Sequence, residues 1–292
     1  MSTLKRTKTI HSLIKNVEGM EFLKSVAVKS VDLVLTDPPY LTSRKTGMDA
    51  LAKSVAAGEG GKNDEQWCVY KAGKSEAEWH ELIVKHGGAD AMVAFETNYK
   101  KYGNIYGKKY AVHTDYGDWD RDFTLEQLDG FVKEYYRVLR DGGVAIVFFD
   151  TWKLETLKNM MVAAGFKQIR LIVWEKTNPQ PLNSSRNLLT NALETAVLGV
   201  KKGKPTFNSK YDTGVMRYPI AGGKNRFHAT QKNLDLFKEL VRKFSNEGDL
   251  VLDTFLGSGT TAVAAKALKR SFIGCEMSKE YYDKLVARVN AI

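Results

Sequence analysis

Along most of the chain, short apolar runs alternate with amphipathic stretches of helical length. The runs at 31–36, 143–149, 169–174, 195–200, 250–253 and 271–275 have the length and the β-branched content of buried strands. The stretches at 125–139, 154–164, 234–244, 260–268 and 279–289 repeat apolar positions at helical spacing. This alternation predicts an α/β fold: a mostly parallel sheet with helices on both faces. Between Leu41 and Gly117 the regularity fails, and glycine clusters are mixed with scattered aromatics (Trp67, Tyr70, Trp79, Tyr99, Tyr102, Tyr106). The expected organisation is a core domain of residues 1–40 and 118–292, interrupted by an insertion at 41–117.

Composition narrows the class. With 292 residues and 43% hydrophobic content the chain can bury one large core. Its apolar runs are strand-sized, far short of the roughly 20 residues that span a bilayer. The basic N-terminus lacks the apolar core and cleavage site of a leader, so a cytoplasmic protein is expected. Cys68 and Cys275 are too few and too far apart for a disulfide framework or a metal knuckle, and no metal is expected. The net charge of +10 fits a polyanionic partner. Its distribution says more: 201–232 holds eight basic residues (Lys201, Lys202, Lys204, Lys210, Arg217, Lys224, Arg226, Lys232) against Asp212 alone, +7 of the total. Such a run is either a solvated face or a grip on phosphates.

Two motifs carry chemistry. The strand at 31–36 runs into Asp37-Pro38-Pro39-Tyr40. The prolines cannot donate to a sheet ladder and fix a rigid turn, so Asp37 and Tyr40 are presented at the strand's carboxyl edge. In isolation, the Asp could be a turn cap and the Tyr a packing residue. Near the C-terminus, the strand 250–253 enters Asp253-Thr-Phe255-Leu-Gly257-Ser258-Gly259-Thr260 and then a helix. Gly257 and Gly259 permit a tight turn and close backbone approach to a ligand. Glu276 stands 19 residues beyond Gly257, at the end of the next strand, where an acid can accept both hydroxyls of a ribose. Such a loop could equally hold NAD. It lies so close to the C-terminus, however, that most of the sheet must precede it, which implies a permuted order.

Together these motifs resemble the amino-methylating DNA methyltransferases of the permuted type, in which the catalytic motif precedes the cofactor motif. Asp37-Pro-Pro-Tyr40 looks like the catalytic motif, Asp253 to Gly259 the cofactor loop and Glu276 the ribose acid. His228-Ala-Thr-Gln-Lys232 is similar to the family's His-Pro-Thr-Gln-Lys-Pro element, although Ala229 and Asn233 replace its prolines. Trp174-Glu-Lys-Thr-Asn-Pro179 and Asn191-Ala-Leu-Glu194 resemble its middle segments, without an assigned role. Glu18 stands where the family's early Gly-Asp contacts the adenine of the cofactor.

The resemblance implies a Rossmann-like methyltransferase fold with S-adenosylmethionine as cofactor. It places Asp253, Phe255, Gly257, Ser258, Gly259, Thr260, Glu276, Lys232 and Glu18 around that cofactor. It also implies methylation of the N6 amine of adenine in a specific sequence of double-stranded DNA, by base flipping. Asp37 and the Pro38 carbonyl would accept the amine protons, and Tyr40 would stack on the base. Adenine is preferred because the tetrapeptide begins with Asp rather than Ser. The DNA-contacting residues are expected in the loop 204–227 and beside it: Lys202, Lys204, Lys210, Arg217, Lys224 and Arg226. The insertion is expected to read bases. Partners by analogy are a second copy of the chain and a cognate restriction endonuclease, in a bacterial or phage setting. The rival readings are cytosine N4 methylation, RNA or protein methylation, a DNA-binding protein of the same fold without activity and, more distantly, an NAD-dependent oxidoreductase.

Overall fold

The computed structural model describes residues 12–40, 62–86, 88–102, 105–106, 123–179, 189–222, 226–228 and 230–292. The chain divides into two compact units, Met1–Thr42 with Phe123–Ile292, and Ser43–Asp122. In the larger unit the elements are β1 (Ser12–Lys15), α1 (Gly19–Lys24) and β2 (Val31–Thr36), and, after the smaller unit, α5 (Leu125–Val138), β3 (Leu139–Phe149), α6 (Leu154–Ala164), β4 (Lys167–Lys176), β5 (Leu193–Val200), β6 (Val215–Tyr218), α7 (Leu234–Phe244), β7 (Leu250–Asp253), α8 (Thr260–Ala267), β8 (Ser271–Cys275) and α9 (Lys279–Asn290). The smaller unit contributes α2 (Asp64–Ala72), α3 (Glu76–His86) and α4 (Ala91–Tyr102). These helices gather Trp67, Trp79, Phe95 and Ile105 into a core of their own, with Tyr70 stacked on Tyr99 at 4.5 Å.

The eight strands among the described residues make one sheet in the order β1-β8-β7-β2-β3-β5-β4-β6. Every residue of β2 is buried, because this strand lies mid-sheet with helices over both faces. Strand alternation divides the core in two. Leu33, Leu35, Ile146 and Phe148 pack with Leu236, Phe237, Val241 and Val263 of α7 and α8 on one face. Val34, Ala145, Val147 and Phe149 pack with Phe22, Leu128, Phe131, Leu157 and Met161 of α1, α5 and α6 on the other. Local signals set the helix ends: a capping box joins Thr124 and Gln127 at the start of α5, and Gly165 at φ 106° closes α6.

Two features of the topology place the site. β5 alone runs antiparallel, entering the sheet between β3 and β4, so its amino end lies at the same edge as the carboxyl ends of β2, β3, β4 and β7. And β1, the first strand, pairs with β8, the last, so the N-terminal segment completes the half of the sheet that holds the glycine loop. Neither β1 nor β6 is expected from sequence. Each has only four residues on a sheet edge, and too few of them are buried to leave a pattern.

Candidate active site

Asp37 follows the end of β2, and its two carboxylate oxygens are engaged by different donors. The Tyr40 hydroxyl donates to Oδ1 at 2.7 Å, and the Lys232 ammonium lies 2.9 Å from Oδ2. Lys232 Nζ also meets Glu194 Oε2 at 2.6 Å and the Tyr40 oxygen at 3.1 Å. Lys176 Nζ reaches the other oxygen of Glu194 at 2.8 Å. The turn is held from β3 as well: Lys153 Nζ donates to the Tyr40 carbonyl and to Asp150, each at 3.0 Å, and the Tyr40 ring packs edge-on to Phe149. Burial pushes the Asp37 carboxyl up from its ordinary value, and the Lys232 ammonium opposes that shift. Burial works against the charge of Lys232 too, but Asp37 and Glu194 hold its proton more firmly than usual. For Glu194, Lys232 and Lys176 outweigh burial and keep the carboxyl below its ordinary value.

One strand away, β7 leads into the glycine loop. β2 and β7 are hydrogen-bonded neighbours, so the tetrapeptide and the loop leave the same edge with no strand between them. Gly257 at φ 50° and Gly259 at φ 76° lie in the left-handed region that disfavours any other residue, which explains both glycines. Glu276 ties the loop to β8: its carboxylate accepts from the Gly257 amide and the Ser278 amide, each at 2.8 Å. Asn16, after β1, donates to the Glu276 carbonyl at 2.8 Å. Glu18, two residues later, caps α1 by accepting from the Glu21 amide. Phe255 packs on Phe131 with centroids 4.8 Å apart. Ser258 and Thr260 are buried and share a hydrogen bond. Asp253 is turned inward: it accepts from Thr36 at 2.7 Å, Thr261 at 2.6 Å and the Phe255 amide at 2.9 Å. It therefore shapes the loop and bolts it to β2 and α8. His228 lies over Gly257 and against Tyr281, and burial, then Lys232 and Arg226, push it down to about 4, so the ring is neutral at pH 7.

The structure relocates several of the expected residues. Lys232, expected beside the cofactor, lies against Asp37 and Tyr40. The basic segment is not one surface. β5 runs backwards and ends beside the amino ends of β3 and β4, and the Gly142 amide bonds the carbonyls of Lys201 and Lys202. Lys202 and Lys204 thus lie at the edge opposite Asp37, about 25 Å away by the length of β5. Lys210 belongs with that edge, since the neighbouring Asn208 bonds the carbonyl of Lys243 near the end of α7. Lys201 is buried, its ammonium donating to the carbonyl of Leu139 at 2.7 Å. Of the expected DNA contacts, Arg217 and Arg226 lie on the site's side of the sheet: β6 runs parallel to β4 toward that edge, and Arg226 bonds the carbonyl of His228. Lys224 lies outside the described residues. Conversely, Glu194 and Lys176 lie within segments that had no assigned role: the reversal of β5 brings Glu194 to the edge that bears Asp37, where Lys176 at the carboxyl end of β4 meets it. Among the described residues no group of three His, Cys, Asp or Glu is placed to hold a metal ion.

Residues 31–287 match the profile of a DNA methylase family, a span that includes both motifs. The chain belongs to the DNA methylase family. It is 31% identical over 200 residues to the Type II methyltransferase M2.DpnII of Streptococcus pneumoniae, covering 62% of this chain and 74% of that protein. It is also 31% identical over 198 residues to the Type II methyltransferase M.HinfI of Haemophilus influenzae, covering 60% and 55%. Its fold is similar to that of a crystal structure of the M1.HpyAVI–SAM complex (TM-score 0.59, 22% identity, 95% of this chain and 98% of that one). It is similar as well to the PvuII cytosine-N4-specific DNA methyltransferase (TM-score 0.61, 16% identity, 97% and 90%). The methyltransferase fold and a DNA substrate with S-adenosylmethionine as donor follow.

The residues present fit that donor. Glu276 accepts one amide per oxygen, Gly257 of the loop and Ser278 after β8, leaving acceptor capacity for ribose hydroxyls. The Gly259 cap of α8 has no side-chain acceptor, so the first amides of the helix face the loop as a place for an anionic group. Phe255, packed on Phe131, adds an apolar side chain to the same loop.

Proposed function

We propose that this DNA methylase methylates the N6 amine of adenine within a specific sequence of duplex DNA. The observation that carries this reading is the position of Asp37, at the carboxyl end of the strand hydrogen-bonded to the one that bears the cofactor loop. The lone pair of an exocyclic amine is delocalised into its ring, so it attacks poorly until acceptors localise it. Asp37 Oδ1 and the Pro38 carbonyl are the acceptors for the amine protons, and the turn built by Pro38 and Pro39 keeps them fixed. Bound S-adenosylmethionine supplies a methyl group on a positive sulfonium, a leaving group that needs no further activation. The target base must leave the duplex to reach Asp37, and the Tyr40 face, held by Phe149 and Lys153, offsets part of the few kcal/mol of unstacking. An Asp rather than a Ser at the head of the tetrapeptide favours adenine over cytosine N4.

In this reading Arg217 and Arg226 grip phosphates beside the site, and the insertion reads bases. The designation of the relatives as Type II methyltransferases supports a cognate restriction endonuclease as companion. The homodimer implied by the family resemblance belongs to the same proposal. No described helix is long and apolar enough to cross a membrane, and the proposed place of action is the cytoplasm, with the DNA. The test is mass spectrometry of nucleosides from unmethylated bacterial DNA after incubation with protein and S-adenosylmethionine. N6-methyladenine is expected; N4-methylcytosine alone would keep the chemistry and overturn the base.

A further inference from the structure

Four charged side chains, Asp37 of the tetrapeptide among them, meet in one line, and three of them, Lys176, Glu194 and Lys232, have no part in the proposed reaction. They form an alternating line, Lys176, Glu194, Lys232 and Asp37, with contacts of 2.8, 2.6 and 2.9 Å and each side chain at most 20% exposed. The Lys232 ammonium has three protons and three partners: Asp37, Glu194 and the Tyr40 oxygen. A lysine head on a flexible four-carbon stem is poorly fixed by one carboxylate, whereas two carboxylates from different strands define a point. A buried charge quartet is a weak stabiliser compared with apolar packing of the same volume, which argues against a purely structural purpose.

We propose that Glu194, steadied by Lys176, is a positioning residue for methyl transfer: it holds the Lys232 ammonium on Asp37 Oδ2 and so leaves Oδ1 for the target amine. This rests on the reading of Asp37 as the acceptor of the amine protons. In the structure Oδ1 is met by the Tyr40 hydroxyl, a donor that the amine replaces. The other charged and titratable groups around the carboxylate are Asp253 at the end of β7 and Asp150 and Lys153 beyond β3. None of these three touches Lys232 among the contacts described, so the position of the ammonium is set from the β5 side.

The sign of the effect is specific. The negative charge of Glu194 pushes the Asp37 carboxyl up and holds the Lys232 proton on. Glu194→Gln keeps the shape and removes that charge, so the acid limb of the pH profile of kcat, set by Asp37, moves to lower pH. At neutral pH kcat falls on the order of 10- to 100-fold, the scale of a displaced catalytic group, while the Kd for S-adenosylmethionine and the KM for DNA stay as they were. In a Lys232→Gln background the same substitution costs nothing further. Lys176→Met removes a positive charge instead, and moves the acid limb to higher pH. The experiment is single-turnover methylation of DNA from pH 5.5 to 9.5 for these variants, with Asp37→Ala alongside. An acid limb that does not move in Glu194→Gln, or an equal loss in the Lys232→Gln background, would overturn the proposal. If Glu194→Gln does not fold, an unmoved acid limb in Lys176→Met does the same. Full activity of Asp37→Ala would remove the underlying reading of Asp37. An inactive Asp37→Ala beside a Glu194→Gln indistinguishable from wild type would remove only the role of Glu194.

Discussion

Asp253 is 4% exposed, and its carboxylate accepts three hydrogen bonds, from Thr36, Thr261 and the Phe255 amide. Burial nevertheless dominates and raises the carboxyl to about 6, against an ordinary value of 3.8. Below the ordinary value both folded and unfolded chains carry the proton. Between it and about 6 the folded protein keeps a proton that the unfolded chain has lost, so stability falls as pH rises through this window; above it the loss is complete. A shift of about two units corresponds to about 3 kcal/mol. Asp253→Asn removes this dependence: its carbonyl keeps the bonds from Thr36 and Phe255, and the Thr261 hydroxyl can rotate to accept from the new amide. Urea unfolding at intervals from pH 4 to 7.5 compares the two proteins, and groups common to both, including Glu276, which burial also raises, cancel. Expected is near-equal stability at pH 4 and an advantage to the variant approaching about 3 kcal/mol at pH 7. A variant that instead loses ground as pH rises would mean that the three donors stabilise the ionised form, and the burial argument would fail.

Other expectations follow from the placement of side chains. Reversing Lys202, Lys204 or Lys210 to Glu leaves DNA affinity unchanged, whereas Arg217→Glu and Arg226→Glu weaken binding to all sequences alike and each lowers the salt slope by about one. Anisotropy titrations over a range of salt decide this, and a Lys204→Glu as damaging as Arg226→Glu would refute the assignment of the two edges. Cys68 is exposed; Cys275 is buried, donates to the Thr254 carbonyl and is pushed well up by burial. A thiol reagent at pH 8 should label one cysteine in the native protein and the second only on unfolding; two fast thiols would contradict the packing of β8. Exchanging the insertion for that of a relative should change the methylated sequence while calorimetric binding of S-adenosylmethionine persists, and an unchanged sequence would show that bases are read elsewhere.

Most of the core was legible because its signals are local. β2, β7, β8, α6 and α7 follow from uninterrupted apolar runs or helical repeats, and the two motifs declared the carboxyl edge by their prolines and glycines. The direction of β5 was not legible, since a strand's pattern of burial reads the same in either direction. That one reversal carries Lys202 and Lys204 to the far edge and brings Glu194 to Asp37. The contacts of Lys232 with Glu194 and Asp37 were not legible either, since these partners lie 38 and 195 positions away along the chain. The helices of the insertion, α2 to α4, mix charged residues with aromatics, and their small aromatic core appears only on folding.

The most direct test of the assignment of Asp37 is a comparison of wild type and Asp37→Ala in two assays, calorimetric binding of S-adenosylmethionine and single-turnover formation of N6-methyladenine in DNA. If, as proposed, Asp37 meets the amine while the glycine loop with Glu276 holds the donor, the variant binds the cofactor like wild type and methylates slower by at least about 100-fold. Methylation at a comparable rate, or loss of cofactor binding without any defect specific to transfer, would contradict it.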